Sequence, residues 1–377
     1  MAHVAATPLS LRGQDAWSTQ HARNFGEGRW DDLKEALHRD IEHLCVPSPF
    51  VSAAVSATVR VDLALQETSI PMACSFDIPG HGCTALRCKA MDSGDEHAIF
   101  AEWAPRDDLG GTFDVAPLVP ILFLDAASIL VAHALDAQPE ERVLDACAAP
   151  GGKAFVLAAA MFGGTCLQGG IEKNTRGRLV LNDASKKRAN RMQSALKEYL
   201  PPLLFDAGGV YGPLVVFSSA DAGTPCNTME RHGPYDKILF DAPCVCDRQL
   251  LREGDTGKLG SWSAGTIKAS SDRQVKWLSN ALWLLKENGV LLYCTTALSY
   301  DECDGVVQRL LTNARGTFEL DVLPLMEDVC RMVPCLAAET TDWGTRILPD
   351  KAPIGPVFFS RIRLLRRTHH AVKHIPC

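Results

Sequence analysis

The sequence lacks an excess of positive charge, because 38 lysines and arginines face 45 aspartates and glutamates and leave a net charge of −7. Bulk charge therefore gives no general argument for nucleic-acid binding, and any such surface has to be local. One local candidate is the acid-free C-terminal stretch SRIRLLRRTHHAVKHIPC, for which a basic edge strand with a solvated end is the alternative interpretation. No apolar run reaches the roughly 18 residues that span a bilayer, so membrane insertion is not expected.

Paired metal-ligand spacings are also missing. The 14 cysteines in a chain of 377 residues do not indicate a small disulfide-linked scaffold. Cys74, His81, Cys83 and Cys88 lie close together in the sequence but form no C-x-x-C pairs, so no metal is predicted. Most of the cysteines are interpreted as small buried apolar side chains in a reducing compartment.

The chain is long enough for two domains, and its pattern changes near residue 116. An amphipathic helix, GRWDDLKEALHRDIEHL, and short β-rich runs broken by proline and glycine predict a smaller N-terminal α+β domain. Ahead of it, the acid-poor start of the sequence suits a mitochondrial presequence or a flexible N-terminus. The predicted boundaries are 1–22 for that segment, 23–115 for the α+β domain, 116–367 for the second domain and 368–377 for a tail.

Strand and helix patterns alternate through the second domain. ILFLDAASILVAHAL is predicted as a helix, RVLDACA as a strand, and KAFVLAAAMF as the helix after a glycine turn. A later helix, SSDRQVKWLSNALWLLKENG, is predicted to stop at Gly289, before the strand VLLYCTT. Apolar strands that alternate with helices are typical of a parallel sheet covered on both faces. The predicted fold class is therefore α/β and Rossmann-like, with a mostly parallel mixed sheet, an antiparallel edge and ligands at the carboxyl ends of the strands.

Aspartates stand at the ends of four predicted strands, at Asp145, Asp183, Asp221 and Asp241. Asp145 is followed by ACAAPGGK, where Gly151 and Gly152 let the backbone approach a ligand and the next helix offers free N–H groups. The G-x-G-x-x-G and Walker spacings are absent, which argues against dinucleotides and nucleoside triphosphates. A carboxylate after the second strand, such as Asp183, typically binds ribose hydroxyls. Each aspartate alone is explained by a helix N-cap, but four in register predict a nucleoside pocket.

Four segments, VLDACAAPGGK, NDASKKRANRMQ, DAPC and LDAAS, resemble the Nop2/Sun family of RNA cytosine-C5 methyltransferases over roughly residues 116–367. DAPCVCDR and GPVFFSRIRLLRR look most like the mitochondrial branch, whose members modify or escort mitochondrial ribosomal RNA, one of them with an mTERF-family partner. Ala222 departs from the glycine that the family often has. The resemblance implies a Rossmann-like methyltransferase fold that holds S-adenosylmethionine through Asp145, Gly151, Gly152, Lys153, Asp183, Arg188, Asp221 and Asp241.

The resemblance also implies a mechanism. In this family a thiolate adds to cytosine C6 so that C5 can attack the methyl group, and an acid near N3, here Asp241, favours the addition. A second cysteine, in D-A-P-C, assists product release and corresponds to Cys244. Where the family has T-C-S this chain has TTA, so Thr296 occupies the nucleophile position with a hydroxyl far less acidic than a thiol. Cys294, two residues earlier on the strand, is interpreted as a core residue.

Three functions remain open. The leading hypothesis is a catalytically inactive family member that keeps its S-adenosylmethionine pocket and binds ribosomal RNA and the assembling mitochondrial ribosomal subunit, with an mTERF-family protein as candidate partner. The alternative is an active rRNA (cytosine-C5) methyltransferase that uses Cys244 as its nucleophile, and a third is methylation of another target atom. Mitochondrial location follows mainly from the family branch, and a cytoplasmic or nucleolar location is the alternative.

Overall fold

The computed structural model describes most of the methyltransferase-like region and a short N-terminal part. The described residues are 12–40, 43–51, 118–119, 121–167, 176–206, 212–224, 227–253, 258–333 and 336–368. The group formed by Cys74, His81, Cys83 and Cys88 lies outside them, as do most of the predicted α+β domain and the tail from residue 369. Across the described ranges no helix is long and apolar enough to cross a membrane, and no cluster of side chains is arranged to hold a metal ion.

The N-terminal part begins with two helices, α1 (Gly13–Phe25) and α2 (Glu27–His38). Strand β1 (His43–Pro47) then pairs antiparallel with β2 (Ile121–Asp125), which runs directly into α3 (Ala126–Ala134). The prediction of one helix over ILFLDAASILVAHAL is therefore wrong for its first five residues. A short apolar run does not distinguish a buried strand from a helix, and the pairing with β1, distant in sequence, decides the outcome.

The remaining elements build the main sheet and its two covering layers. The strands are β3 (Arg142–Asp145), β4 (Arg178–Asn182), β5 (Val215–Ser218), β6 (Tyr235–Asp241), β7 (Leu285–Thr295), β8 (Phe318–Leu323), β9 (Ala338–Thr340), β10 (Thr345–Ile347) and β11 (Val357–Arg367). The helices are α4 (Gly152–Leu167), α5 (Lys186–Tyr199), α6 (Asn227–His232), α7 (Asp247–Glu253), α8 (Ala264–Leu284), α9 (Asp304–Ala314) and α10 (Met326–Met332).

Within the described residues the main sheet has nine strands, in the order β5-β4-β3-β6-β7-β11-β10-β9, with β8 paired to β11. The five strands from β5 to β7 are parallel, and the pairs that follow are antiparallel. This arrangement confirms the predicted Rossmann-like fold with an antiparallel edge. It also brings the ends of β3, β4, β6 and β7 to one edge of the sheet, where ligands of such folds bind.

Successive side chains along each central strand point to opposite faces of the sheet and pack in two apolar layers. Val143 of β3 packs in one layer, whereas its neighbour Leu144 packs in the other. The same alternation places Cys294 of β7 in the first layer and Tyr293 in the second, both buried, so the core assignment of Cys294 is confirmed. Because both faces of these strands are covered, a one-residue slip of register would move apolar side chains between two differently shaped layers.

The helix predicted to stop at Gly289 ends earlier. Helix α8 ends at Leu284, and Leu285 already pairs with Tyr235 of β6. Gly289 lies inside β7, where an added Cβ would stand 2.8 Å from the carbonyl oxygen of Lys286 and 3.1 Å from that of Asp236. Glycine is therefore required here by close backbone contact within the sheet and not by a helix end.

A third apolar cluster attaches the N-terminal helices to the sheet domain. Residues 13–22, which the sequence placed in a presequence or flexible segment, belong to α1, and Trp17 of that helix is completely buried. Trp17 and Trp30 of α2 pack edge to face with ring centroids 4.9 Å apart. The cluster also contains Trp262, which precedes α8, and Leu298 of the loop after β7.

One carboxylate completes this attachment. Asp247, the first residue of α7, is buried and accepts hydrogen bonds from Trp17 Nε1 at 2.8 Å and His21 Nε2 at 2.9 Å. Its second oxygen accepts the backbone N–H of Leu298 at 2.8 Å. Asp247 thus links α1 to the loops that follow β6 and β7, and a buried carboxylate with three donors is much less costly than an unpaired one.

We expect the indole hydrogen bond of Trp17 to contribute measurably to stability. Trp17→Phe keeps most of the packing but removes one donor to Asp247, so the free energy of unfolding should fall by about 1–3 kcal/mol in urea denaturation. Trp262→Phe is the matched control, because the indole nitrogen of Trp262 is buried and has no hydrogen-bond partner among the described residues. Equal losses in the two variants would show that the hydrogen bond to Asp247 contributes nothing beyond packing.

Candidate functional site

The loop between β3 and α4 forms the floor of the site. Gly151 has a φ of 122°, a backbone conformation that L side chains rarely adopt, and an added Cβ would stand 3.3 Å from Met192 Cγ. A Cβ on Gly152 would stand 2.9 Å from Leu124 Cδ2. The two glycines therefore let this loop pass between α5 and β2, and the close approach of the loop to a ligand stays a prediction.

Lys153, at the start of α4, is the cation of the site. Its Nζ donates to Asp241 Oδ2 at 2.8 Å and to Ser128 Oγ at 3.1 Å. Burial opposes the charge of Lys153, but the charge of Asp241 and its hydrogen bond outweigh that penalty and raise the pKa of Lys153 above its ordinary value. The ammonium group therefore remains charged and fixes the carboxylate at the end of β6.

Asp145, at the end of β3, has an incomplete set of partners. Its Oδ1 accepts the N–H of Cys147 at 3.4 Å, whereas its buried Oδ2 has no hydrogen-bond partner among the described residues. Burial, and then the charge of Asp241, raise the pKa of Asp145 from 3.8 to about 7. A buried acceptor without a donor costs free energy, so Asp145 is suited to accept a hydrogen bond from a bound ligand.

Asp183 and Arg188 lie on the neighbouring strand end and helix. The carboxylate of Asp183 accepts the N–H of Ser185 at 2.9 Å and lies 3.3 Å from Arg188 Nη2. The same guanidinium group donates to the carbonyl oxygen of Ala149 at 2.5 Å, inside the glycine loop. Ser185 caps α5 by accepting the N–H of Arg188. Arg188 thus connects the ends of β3 and β4.

Asp221 is placed differently from the other three strand-end aspartates. It follows β5 by three residues, is exposed, and accepts the N–H of Gly223 at 2.8 Å within its own turn. The turn packs on α8, because an added Cβ on Gly223 would stand 2.7 Å from Trp277 Nε1. In this conformation the Asp221 side chain closes a turn and does not line the cavity.

A cavity of about 340 Å³ opens between the glycine loop, β2 and α5. Five of the predicted cofactor residues line it: Asp145, Gly151, Gly152, Lys153 and Asp241. Its other walls come from His43 of β1, from residues 122–125 of β2 and from Tyr199 of α5. The sequence reasoning missed the β1–β2 wall, and the predicted helix over this segment concealed the strand that could have indicated it.

Cys244 and Thr296 meet beside this cavity, on the loops that follow β6 and β7. The two loops are adjacent because Ala242 donates its N–H to the carbonyl oxygen of Cys294 at 2.9 Å. Cys244 Sγ and Thr296 Oγ1 lie 3.4 Å apart, and the Thr296 side chain is exposed. Cys294 Sγ is buried and lies 3.5 Å from Asp241 Oδ1. The residues of D-A-P-C and TTA are therefore brought together as the sequence predicted.

The surroundings of Cys244 oppose ionisation of its thiol. Burial, and then the charge of Glu302, raise the pKa of Cys244 to about 12, although hydrogen bonds to Thr295 and Thr296 act in the opposite direction. None of the groups that shift it most is a lysine, arginine or histidine. Reactive thiols sit next to cations or helix N-termini, so this environment is that of an unreactive cysteine.

Glu302, in the loop that follows β7, is a buried acid. Its Oε1 accepts the N–H of Val245 at 3.0 Å and the amide of Gln274 at 3.2 Å, and its Oε2 accepts Ser299 Oγ at 3.2 Å. Burial raises the pKa of Glu302 to about 7. Glu302 and Asp247 together fasten the loop of Cys244 to the loop of Thr296.

The comparisons with known proteins agree with this geometry. The family profile described as 16S rRNA methyltransferase RsmB/F matches residues 132–363, which is more than half of the chain. The chain belongs to this family of methyltransferases. The resemblance to the Nop2/Sun family is thereby confirmed, since relatives include the 5-cytosine rRNA methyltransferase NSUN4 of Bos taurus, 34% identical over 283 residues, 74% of this chain and 66% of that protein.

A second relative is the mitochondrial tRNA (cytosine(34)-C(5))-methyltransferase of Danio rerio, 29% identical over 241 residues, 64% of this chain and 59% of that protein. The chain thus spans about three-fifths to two-thirds of the length of these relatives. Among solved structures, a methyltransferase homolog from Pyrococcus horikoshii has a TM-score of 0.59 at 19% identity and covers 93% of this chain and 95% of that chain. NSun6 from the same organism, solved with SFG, has a TM-score of 0.59 at 15% identity, covering 93% and 97%. At these identities the solved structures establish the fold alone.

The raised pKa of Asp145 predicts a pH-dependent cost to the empty protein. Because the folded state keeps a proton to about pH 7 that the unfolded chain loses near pH 4, stability contributed at this position falls as the pH rises between these values. Asp145→Asn removes the dependence, so at pH 8 the variant should exceed the wild type in unfolding free energy by about 2–4 kcal/mol. At pH 4 the two should be equal.

Chemical denaturation at both pH values measures this difference. Asp32→Asn is the control, because Asp32 is exposed on α2. A stability advantage of Asp145→Asn that is the same at pH 4 and pH 8 would contradict the assignment of an abnormal carboxyl group to this position.

Proposed function

We propose that this chain is a catalytically inactive member of its RNA (cytosine-5) methyltransferase family that binds ribosomal RNA and acts in mitochondrial ribosome assembly. The observation that carries the proposal is Thr296, whose exposed hydroxyl occupies the position that the family resemblance gives to the attacking thiol. The rest of the constellation remains in place around it, with Cys244 3.4 Å away and Asp241 paired to Lys153.

A threonine hydroxyl at this position lacks the means to attack cytosine C6. Nucleophilic hydroxyls are activated by an adjacent base, and within the described residues the one hydrogen-bond partner of Thr296 Oγ1 is the thiol of Cys244. That thiol cannot serve as a base while it is protonated. Loss of a covalent nucleophile costs on the order of a millionfold in rate in well-studied enzymes. Covalent catalysis through Thr296 is therefore not supported.

The alternative, attack by Cys244, requires a thiolate. Cys244 is only partly buried, but its surroundings raise the pKa of its thiol well above the ordinary value, so the thiolate is disfavoured at neutral pH. Protonation of the cytosine ring by Asp241 would in addition require the carboxyl group to leave its 2.8 Å contact with Lys153. These two features favour the inactive family member over the enzyme that uses Cys244.

The residues of the cavity fit S-adenosylmethionine. The buried Asp145 Oδ2 lacks a donor, which an ammonium group or a hydroxyl would supply, and the two glycines keep the loop free of side chains. A cavity of about 340 Å³ falls within the range of small-molecule sites, at its lower end. When bound, this cofactor carries an activated methyl group. The chain's own contribution is to hold it against the glycine loop beside Asp241.

The relatives support the proposed RNA partner and the proposed compartment. One is named as an rRNA methyltransferase and another as a mitochondrial tRNA enzyme, which supports an RNA partner and a mitochondrial location for this chain. Ribosomal RNA within an assembling mitochondrial subunit, and an mTERF-family protein beside it, are the proposed partners. Their support lies in the family branch that the sequence resembles.

We expect the protein to leave organellar ribosomal RNA without a 5-methylcytosine of its own. Bisulfite sequencing of that RNA from cells with and without the protein should give the same methylation pattern, because Thr296 cannot form the covalent adduct. Cells that carry Cys244→Ala should show the same pattern and normal ribosome assembly. A methylated site that disappears both without the protein and with Cys244→Ala would establish the active enzyme instead.

Thr296→Cys provides the reciprocal arm of that experiment. A new 5-methylcytosine in this variant would identify Thr296 as the one missing group. Thr296→Ser is its matched control, since serine supplies a hydroxyl without a thiol and should not methylate.

Cofactor binding is expected to persist without catalysis. Isothermal titration with S-adenosylmethionine should show binding by the wild type and by Asp32→Asn, and at least about tenfold weaker binding by Asp145→Asn, which loses a charged acceptor. Asp145→Asn is thus expected to be more stable than the wild type without cofactor at pH 8 and yet to bind the cofactor less well. Absence of any heat of binding with the wild type would remove the cofactor from the proposed function.

A further inference from the structure

Helix α5 carries a predominantly basic exposed face. Lys186, Lys187, Arg191 and Lys197 are all exposed on it. Asn190 and Ser194, which are neutral and also exposed, lie between them, and the one acidic residue of α5 is Glu198, which is exposed in its last turn. In a chain of net charge −7, such a face is the local basic surface that the composition requires of a nucleic-acid-binding protein.

These cations are not used inside the protein. Lys186, Lys187 and Arg191 make no side-chain hydrogen bond or ion pair with any described residue, whereas Arg188 on the same helix is held by Asp183 and Ala149. The four form the basic face of α5, defined as Lys186, Lys187, Arg191 and Lys197.

The C-terminal stretch that the sequence offered as a basic candidate differs in this respect. Arg361 binds Asp328 at 2.6 Å, Arg366 pairs with Glu319, and Arg367 donates to the backbone of β7 and α8. These three arginines therefore hold β11 to its neighbours, as the alternative interpretation as a basic edge strand expects. The cations of the basic face of α5 differ from them in having no such partners among the described residues.

The position of Lys186 and Lys187 is unfavourable for the helix itself. They occupy the first turn of α5, where the helix dipole is positive, and that turn contains no acidic residue. Cations at this end destabilise a helix, and acidic residues are preferred there. An anion bound beside Lys186 and Lys187 would be attracted both by the lysines and by the positive end of the helix dipole. A bound anion would therefore explain why lysines occupy this turn, whereas folding alone does not.

The same helix forms a wall of the candidate site. Ala195, Leu196 and Tyr199 line the cavity from the inner side of α5, while the basic face is on the outer side. From Lys186 to Lys197 the helix rises about 16 Å, a length that spans several phosphates of a nucleic-acid strand. A strand lying along this face would pass the rim of the cavity.

We propose that the basic face of α5 binds the phosphate backbone of the RNA and so guides the strand past the cavity. This inference rests on the proposed function, because it assumes that the ligand of the protein is RNA. Lysine and arginine side chains with neutral hydrogen-bonding residues between them suit phosphate oxygens without selecting a base sequence. An acidic protein surface is the competing occupant, and the experiment separates the two.

The test compares two triple variants of the full chain that lose the same charge. The basic-face variant combines Lys186→Gln, Lys187→Gln and Arg191→Gln and so removes three of the four cations of the basic face. The control variant removes three exposed cations elsewhere, through Arg23→Gln, Lys276→Gln and Arg315→Gln. Binding of a fluorescent single-stranded RNA of about 20 nucleotides is followed by anisotropy between about 50 and 200 mM salt. The basic-face variant should bind RNA at least about tenfold more weakly near 100 mM salt. The slope of the logarithm of its binding constant against the logarithm of the salt concentration should be smaller in magnitude by about 2, because each lost phosphate contact reduces it by roughly 0.7.

The control should keep most of the wild-type affinity and slope. Thermal melting of the basic-face variant should equal or exceed that of the wild type, because its first helical turn loses unfavourable charge. An RNA affinity and slope that match the control would overturn this inference alone and leave the acidic protein surface as the occupant. If the wild type itself fails to bind RNA at low salt, the proposed function fails together with this inference.

Discussion

The buried carboxylate of Asp247 is the interaction on which the ligand edge of the molecule depends. One oxygen is shared by Trp17 and His21 of the first helix, and the other accepts the backbone N–H of Leu298. Asp247 begins the helix three residues after Cys244, and Leu298 follows Thr296 by two, so one side chain sets the separation of both loops. The carboxyl group of Asp247 is buried, and its burial is tolerated because these donors replace the hydrogen bonds of water. Removing any one of the donors would leave part of the desolvation cost uncompensated. The N-terminal helices are consequently part of the site's support.

The two halves of the site are in different electrostatic conditions. On one side Lys153 neutralises Asp241, and Asp145 is left with an acceptor that a ligand can satisfy. On the other side the charge of the buried acid Glu302 raises the pKa of Cys244, and none of the groups that shift this pKa most is a cation. The first arrangement is that of a binding pocket, whereas the second works against nucleophilic chemistry. Under the proposed function, a threonine at position 296 agrees with these surroundings of Cys244.

Much of this arrangement could be predicted from the sequence, because the information is local. Strand ends, glycine turns and the Ser185 cap follow from patterns within a few residues, and parallel pairing then brings Asp145, Asp183 and Asp241 to one edge. The direction of Asp221 could not be predicted, since it depends on a turn packed against Trp277 of a distant helix. The strand at residues 121–125 depends on pairing with β1, nearly eighty residues earlier in the chain, and the role of Asp247 depends on donors from α1. Contacts over such separations leave no periodic pattern in the sequence.

The unsatisfied oxygen of Asp145 has a consequence for how such a pocket persists over evolutionary time. Any ligand that supplies the missing donor binds the native state and not the unfolded chain, and it therefore stabilises the fold in proportion to the logarithm of its concentration. The pocket then works as a folding aid whose strength is set by the cellular supply of the ligand. Selection for a folded scaffold is sufficient to preserve it after turnover is lost, so an intact cofactor pocket is a record of folding requirements as much as of chemistry.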